Sequence, residues 1–234
     1  MMKNLVTYTS CLIALLMLST MVMADAMKPI DPSTYEEPVK VACVGDSITE
    51  GAGAPKGESY PSQLQRMLGD DWVVLNFGVG GRTLMKTGDR PYWDEDAYKE
   101  ALRSKADVVI IMLGTNDSRP ANWQHKSDFE RDYRKLVQSF QRLKSEPRIY
   151  ICRPCPVPGG VSKIGGINEA AVAEQRVIID KLAEELGVGV IDMFAALQDF
   201  PRFQPDKVHP NEKGAGKLAE AAFTALTGKE VPVE

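Results

Sequence analysis

Five short apolar runs, spaced through the chain with helical patterns between them, predict an α/β fold: a three-layer α/β/α sandwich around a central five-stranded parallel sheet. The runs are residues 40–45 (KVACVG), 72–77 (WVVLNF), 107–113 (DVVIIML), 148–152 (RIYIC) and 188–192 (VGVID). Each is nearly continuously apolar rather than alternating, which suits parallel strands buried on both faces. Between and after them lie amphipathic stretches at 59–68, 97–104, 127–144, 167–186 and 211–226. In 127–144, Phe129, Tyr133, Leu136, Val137, Phe140 and Leu143 recur at helical spacing. The stretch 167–186 stops at Gly187, a residue suited to ending a helix. Strands alternating with helices give βαβ units with right-handed crossovers.

The first 26 residues are set apart from this pattern. Lys3 precedes an apolar run at 11–23, and Ala24-Asp25-Ala26 then places small residues in the A-x-A spacing of signal cleavage. A run of this length falls short of the roughly 20 residues a helix needs to span a bilayer. The expectation is a signal peptide over 1–26, with an uncleaved anchor as the alternative, an extended leader over 27–38 and one domain over 39–234. It implies export to the periplasm or medium, with no stable membrane span after cleavage.

Charge and cysteine content narrow the function classes. The chain carries 28 Lys and Arg against 32 Asp and Glu, a net charge of −4. Loss of Lys3 and Asp25 leaves that balance unchanged, and no basic run marks a nucleic-acid surface. Cys43 sits in an apolar run and reads as a buried thiol. Cys152-Arg153-Pro154-Cys155 has C-x-x-C spacing, but prolines and glycines follow at 156, 158, 159 and 160. That run cannot form the helix that would lower a redox cysteine's pKa. A local disulfide and two free thiols both remain open for this pair. With two histidines far apart, His125 and His209, no metal cluster and no cofactor are expected.

The chemistry lies in four short blocks, three of them at the carboxyl ends of predicted strands, where ligands gather in such sheets. Gly45-Asp46-Ser47-Ile48 follows the first run, and Ser47 taken alone reads as a turn or N-cap serine. The segment 76–83 (NFGVGGRT) closes the second run. Its spacing does not fit G-x-G-x-x-G, and a glycine there lets a backbone N–H approach a ligand, so Gly81 is a candidate oxyanion donor. Gly114-Thr115-Asn116-Asp117 ends the third run and brings an amide to the same edge. Asp206-Lys207-Val208-His209 precedes the last helix, and a spacing of three in a loop lets carboxylate and imidazole turn to one side. His125 lies in a polar loop, which leaves His209 as the base.

These blocks, in this order and on these elements, resemble the SGNH (GDSL-type) hydrolase family over nearly the whole domain. The resemblance implies a flavodoxin-like sheet and carboxylic ester hydrolysis through an acyl-enzyme. It assigns Ser47 as nucleophile, His209 as base and Asp206 as its partner. It also assigns the Ser47 N–H, the Gly81 N–H and the Asn116 amide as the oxyanion hole. Ile48 stands where the usual first block has leucine, a conservative apolar change.

The substrate is less legible. The loops at the active edge are polar, with a few aromatics (Tyr92, Trp93, Trp123, Phe203), and show no large apolar lid for a long acyl chain. A short acyl group such as acetyl on a polar alcohol is the expectation, with Trp93 and Trp123 as candidates to stack on a sugar. The plainer reading is that both tryptophans pack their own loops. Carbohydrate acetyl esters come first by analogy with exported family members. Lysophospholipase, thioesterase and arylesterase activities are the alternatives within the family, and a non-catalytic glycan-binding domain is the alternative outside it.

Overall fold

The computed structural model describes residues 28–231, so the expected signal segment lies outside the described residues. The strands are β1 (Val39–Gly45), β2 (Trp72–Gly78), β3 (Val108–Met112), β4 (Arg148–Arg153) and β5 (Gly189–Asp192). All neighbours run parallel, in the order β2-β1-β3-β4-β5. The helices are α1 (Ser47–Glu50), α2 (Tyr60–Leu68), α3 (Asp96–Arg103), α4 (Pro120–Trp123), α5 (Phe129–Gln141), α6 (Glu169–Leu186), α7 (Met193–Leu197) and α8 (Glu212–Thr227). The three-layer sandwich with a five-stranded parallel sheet is therefore observed. The leader departs from the expected extended form, because Asp31 caps a 3-10 turn at Pro32–Thr34.

Strand periodicity assigns the layers. Val41, Cys43, Ile110, Met112 and Cys152 face one side, where Tyr60 and Leu64 of α2, Met193 and Leu197 of α7 and Leu218 and Ala222 of α8 cover them. Ala42, Val44, Val109, Ile111 and Ile151 face the other, beneath Phe129, Tyr133 and Phe140 of α5 and Ile179 and Leu182 of α6. Alternate residues of one strand thus fill two separate cores, as period two requires. The central strand β3 is buried along its whole length.

The chain passes from β1 out to the edge strand β2, then back across β1 to β3. The connections leaving β1 and β3 therefore diverge, and the crevice between them is a topological switch point. Ser47 stands at the end of β1 and Asn116 beyond the end of β3. Close approach of α1 needs the paired residues Gly45 and Gly78. A Cβ on Gly78 would lie 2.1 Å from the Glu50 backbone nitrogen.

Candidate active site

Ser47 opens α1, with Asp46 as its N-cap. The Asp46 side chain is buried and accepts from the Ile48 N–H at 3.0 Å. Such a cap fixes the first turn, and at position N1 the Ser47 N–H has no helical acceptor. Ser47 Oγ stands 2.9 Å from His209 Nε2. His209 Nδ1 lies 2.7 Å from Asp206 Oδ2.

The turn between Asp206 and His209 explains that alignment. Lys207 adopts φ 70°, an uncommon value for a non-glycine residue. Asp206 Oδ1 accepts the N–H groups of Val208 at 2.9 Å and His209 at 2.7 Å. One carboxylate oxygen thus holds the backbone of the turn while the other takes the imidazole. Burial works against the charge on Asp206, but hydrogen bonds from the His209 N–H, its ring and the Val208 N–H outweigh it and hold the carboxyl below the usual range. An ionised Asp206 accepts only, so His209 Nδ1 carries the proton and Nε2 is left to accept from Ser47.

The other predicted donors converge on the same edge. Gly81 has φ 79°, a backbone conformation that favours glycine. Among the described residues its N–H has no acceptor. Asn116 is buried and its Nδ2 donates to Arg82 O at 3.0 Å and Asp46 Oδ2 at 3.2 Å. The amide therefore lies between the chain neighbours of Ser47 and Gly81. The five residues singled out as triad and oxyanion donors occupy one region.

Sequence reasoning quoted Asp117 but gave it no role. Its carboxylate is fully buried and accepts the N–H groups of Leu84 at 2.8 Å and Met85 at 2.7 Å. It fastens the Gly81 loop to the Asn116 turn. Burial raises Asp117 to about 7, offset by the two N–H bonds, and burial raises Asp46 to about 6. The Arg119, Asp89 and Asn122 cluster was also missed, since partners about thirty residues apart leave no local signal.

Trp93 and Trp123, the candidates for sugar stacking, both make contacts within their own loops. Trp93 Nε1 donates to Leu84 O at 2.8 Å, its ring meets Tyr98 edge-on at 5.3 Å, and Lys86 Nζ caps it at 3.9 Å. Trp123 packs on Phe129 at 5.4 Å. Both indoles are half-buried, and Trp123 Nε1 has no hydrogen-bond partner among the described residues. Cys43, Cys152 and Cys155 are buried free thiols, so the C-x-x-C pair is not bridged. Among the described residues no acidic, histidine or cysteine group is arranged to hold a metal. None of their helices is long and apolar enough to cross a membrane.

Residues 43–217 match the GDSL-like Lipase/Acylhydrolase family. The chain belongs to this family. The match spans all four blocks. An acetylxylan esterase of Xylanibacter ruminicola is 38% identical over 216 residues, covering 83% of this chain and 44% of that protein. The chain thus spans less than half the length of that relative. A proposed arylesterase from Agrobacterium tumefaciens strain C58 superposes with a TM-score of 0.65 at 26% identity, covering 80% of this chain and 97% of that one. A carbohydrate acetylesterase family member from Sinorhizobium meliloti gives a TM-score of 0.66 at 21% identity, covering 82% and 100%. At that identity it shows the shared fold alone.

Proposed function

We propose that this GDSL esterase removes acetyl groups from carbohydrate, with Ser47, His209 and Asp206 as a catalytic triad working through an acetyl-enzyme. The observation that carries the mechanism is the linear contact Ser47 Oγ, His209 Nε2, His209 Nδ1, Asp206 Oδ2, at 2.9 Å and 2.7 Å. His209 takes the Ser47 proton as the alkoxide attacks the ester carbonyl. The Ser47 and Gly81 N–H groups and the Asn116 amide receive the tetrahedral oxyanion. His209 returns the proton to the leaving alcohol, then activates the water that releases acetate.

The carbohydrate acetyl assignment is supported by the Xylanibacter ruminicola acetylxylan esterase at 38% identity. The polar loops at the active edge support a short acyl group. Export after removal of 1–26, leaving the hydrolase as one domain over 39–234, belongs to the same reading and brings the enzyme to extracellular glycan. The substrate is a glycan ester or a small ester, and the charge pattern argues against a nucleic-acid partner.

The test is acetate release from acetylated xylan beside hydrolysis of p-nitrophenyl acetate and octanoate, wild type against Ser47→Ala. The expected result is acetate from xylan, abolished in the variant. Faster turnover of octanoate than acetate, with no acetate from xylan, overturns the carbohydrate assignment and leaves the serine esterase standing. Full activity in Ser47→Ala overturns the triad.

A further inference from the structure

Asn116 is held on both sides of its amide. Its Nδ2 donates to Arg82 O and Asp46 Oδ2, while its Oδ1 accepts from Arg119 Nη2 at 2.7 Å. The guanidinium is itself anchored, because Arg119 Nη1 donates to Asp89 Oδ2 at 3.2 Å. Asp89 is fixed in turn by Asn122, whose Nδ2 donates to Asp89 Oδ1 and to Asn116 O, both at 3.0 Å, and whose Oδ1 accepts the Asp89 N–H at 3.0 Å. The four residues close a ring around the back of the amide. The Arg119 side chain is only 21% exposed, so its charge is poorly screened.

An oxyanion reaching Asn116 takes an Nδ2 hydrogen from one of its two resting acceptors. At that moment one of the bonds orienting the amide from the Nδ2 side is given up. The Arg119 bond at Oδ1 faces away from the reaction and persists. A guanidinium has five donors and no acceptor, so it tolerates only the orientation that keeps Nδ2 toward the oxyanion. A cation on Oδ1 also draws electron density from the amide and strengthens Nδ2 as a donor.

We propose that Arg119, anchored by Asp89 and Asn122, is a positioning residue that orients and polarises the Asn116 amide for the oxyanion. The inference rests on the reading of Asn116 as an oxyanion donor. A role exerted through Asn116 in the transition state lowers kcat and leaves substrate affinity nearly untouched.

The experiment is steady-state hydrolysis of p-nitrophenyl acetate by wild type, Arg119→Ala, Asn116→Ala and the double variant. Arg119→Ala is expected to lower kcat roughly tenfold to a hundredfold, with KM within about threefold of wild type. In the Asn116→Ala background the same change should cost less than about threefold, because the group it acts through is gone. Unchanged kcat in Arg119→Ala, a loss confined to KM, or full additivity of the two losses overturns the inference. A harmless Asn116→Ala overturns the oxyanion reading and the inference together, whereas a harmful one with silent Arg119→Ala overturns the inference alone. Should Arg119→Ala fail to fold, Asp89→Ala takes its place. It releases the far end of the guanidinium, and a kcat loss of roughly threefold to tenfold at constant KM is expected. Unchanged kcat there is again refutation.

Discussion

Replacing Asp206 by asparagine should disable the enzyme while leaving it folded, and the geometry of the turn says why. In the wild type Oδ1 accepts two backbone N–H groups, from Val208 and His209, and Oδ2 accepts one ring N–H. An asparagine has a single oxygen. Two donors fixed in the backbone outweigh one on a ring, so the oxygen stays with Val208 and His209 and the NH₂ group meets the imidazole. His209 Nδ1 must then accept, which moves the ring proton to Nε2, the atom 2.9 Å from Ser47 Oγ. Nε2 can no longer take the serine proton. Enforcing the wrong tautomer in a triad costs about 10⁴ in kcat, or ~5 kcal/mol of transition-state stabilisation. No bond is lost, but three charge-assisted bonds become neutral ones, about 1 kcal/mol each, with the turn itself retained. Initial rates on p-nitrophenyl acetate and a urea denaturation midpoint measure the two effects separately. A variant that keeps a tenth or more of the wild-type kcat refutes the argument that backbone donors dictate the amide orientation.

The remaining predictions concern the nucleophile, the close approach behind it and the buried carboxyls. Ser47→Ala and His209→Ala should each remove nearly all turnover, and the double variant should be little slower than either single one, which stopped-assay rates will show. Gly78→Ala puts a methyl against the backbone of α1, whose Glu50 nitrogen stands 2.1 Å from the new carbon. It should cost about 1–3 kcal/mol or more and displace Ser47, read as a lower melting temperature together with a lower kcat. Burial raises the carboxyls of Asp46 to about 6 and Asp117 to about 7, against an ordinary value of 3.8. The stability they supply is full below the unfolded value and is lost as pH rises through the folded ones, at up to ~1.4 kcal/mol per pH unit per group. The urea midpoint should fall from pH 4.5 to 7.5, and Asp117→Asn should flatten that slope; an equally steep slope in the variant contradicts the raised carboxyl.

The elements that sequence made plain are those whose burial is continuous. β3 reads as a strand because Val108 to Met112 are all buried and apolar, and the expected span of 107–113 overran it by one residue at each end. The overrun at Leu113 is a buried residue outside the ladder, just before Gly114 turns the chain at φ 126°. The pattern at 127–144 became α5 over Phe129–Gln141, with Lys126–Asp128 spent in a 3-10 turn. Helices of four or five residues such as α1, α4 and α7 carry no periodicity and were invisible. The candidate triad was legible because only two histidines compete for the base and because Asp206 and His209 are neighbours in the chain. Arg119 and Asp89 were not, since their meeting depends on how the connections after β2 and β3 fold over one another. The tryptophans show a different limit: an indole is equally fit to pack a loop or a sugar, and sequence does not reveal the contacts with Leu84 O and Phe129.

Placement of the proposed oxyanion donors and of the proposed base follows two different strategies. The loops after β1, β2 and β3 are sewn together by carboxylates from within. Asp46 joins α1 to Asn116, Asp117 holds Leu84 and Met85, and Asp132 accepts the Lys86 N–H at 3.0 Å. Each removes freedom from the segment that presents Ser47, Gly81 or Asn116. Charge stabilisation in a transition state depends on dipoles that do not reorganise, so rigidity is most valuable at these donors. His209 comes instead from the segment before α8; its ring meets Ser47, and its Cβ packs close to Gly53, where an added Cβ would stand 2.8 Å from it. A base must exchange a proton between nucleophile, leaving group and water within one turnover. Seating it on a separate turn, held by Asp206, by Gln204 Nε2 on Val208 O and by Ser162 Oγ on Asp206 O, lets Asp206 fix its tautomer outside the network that holds the proposed oxyanion donors.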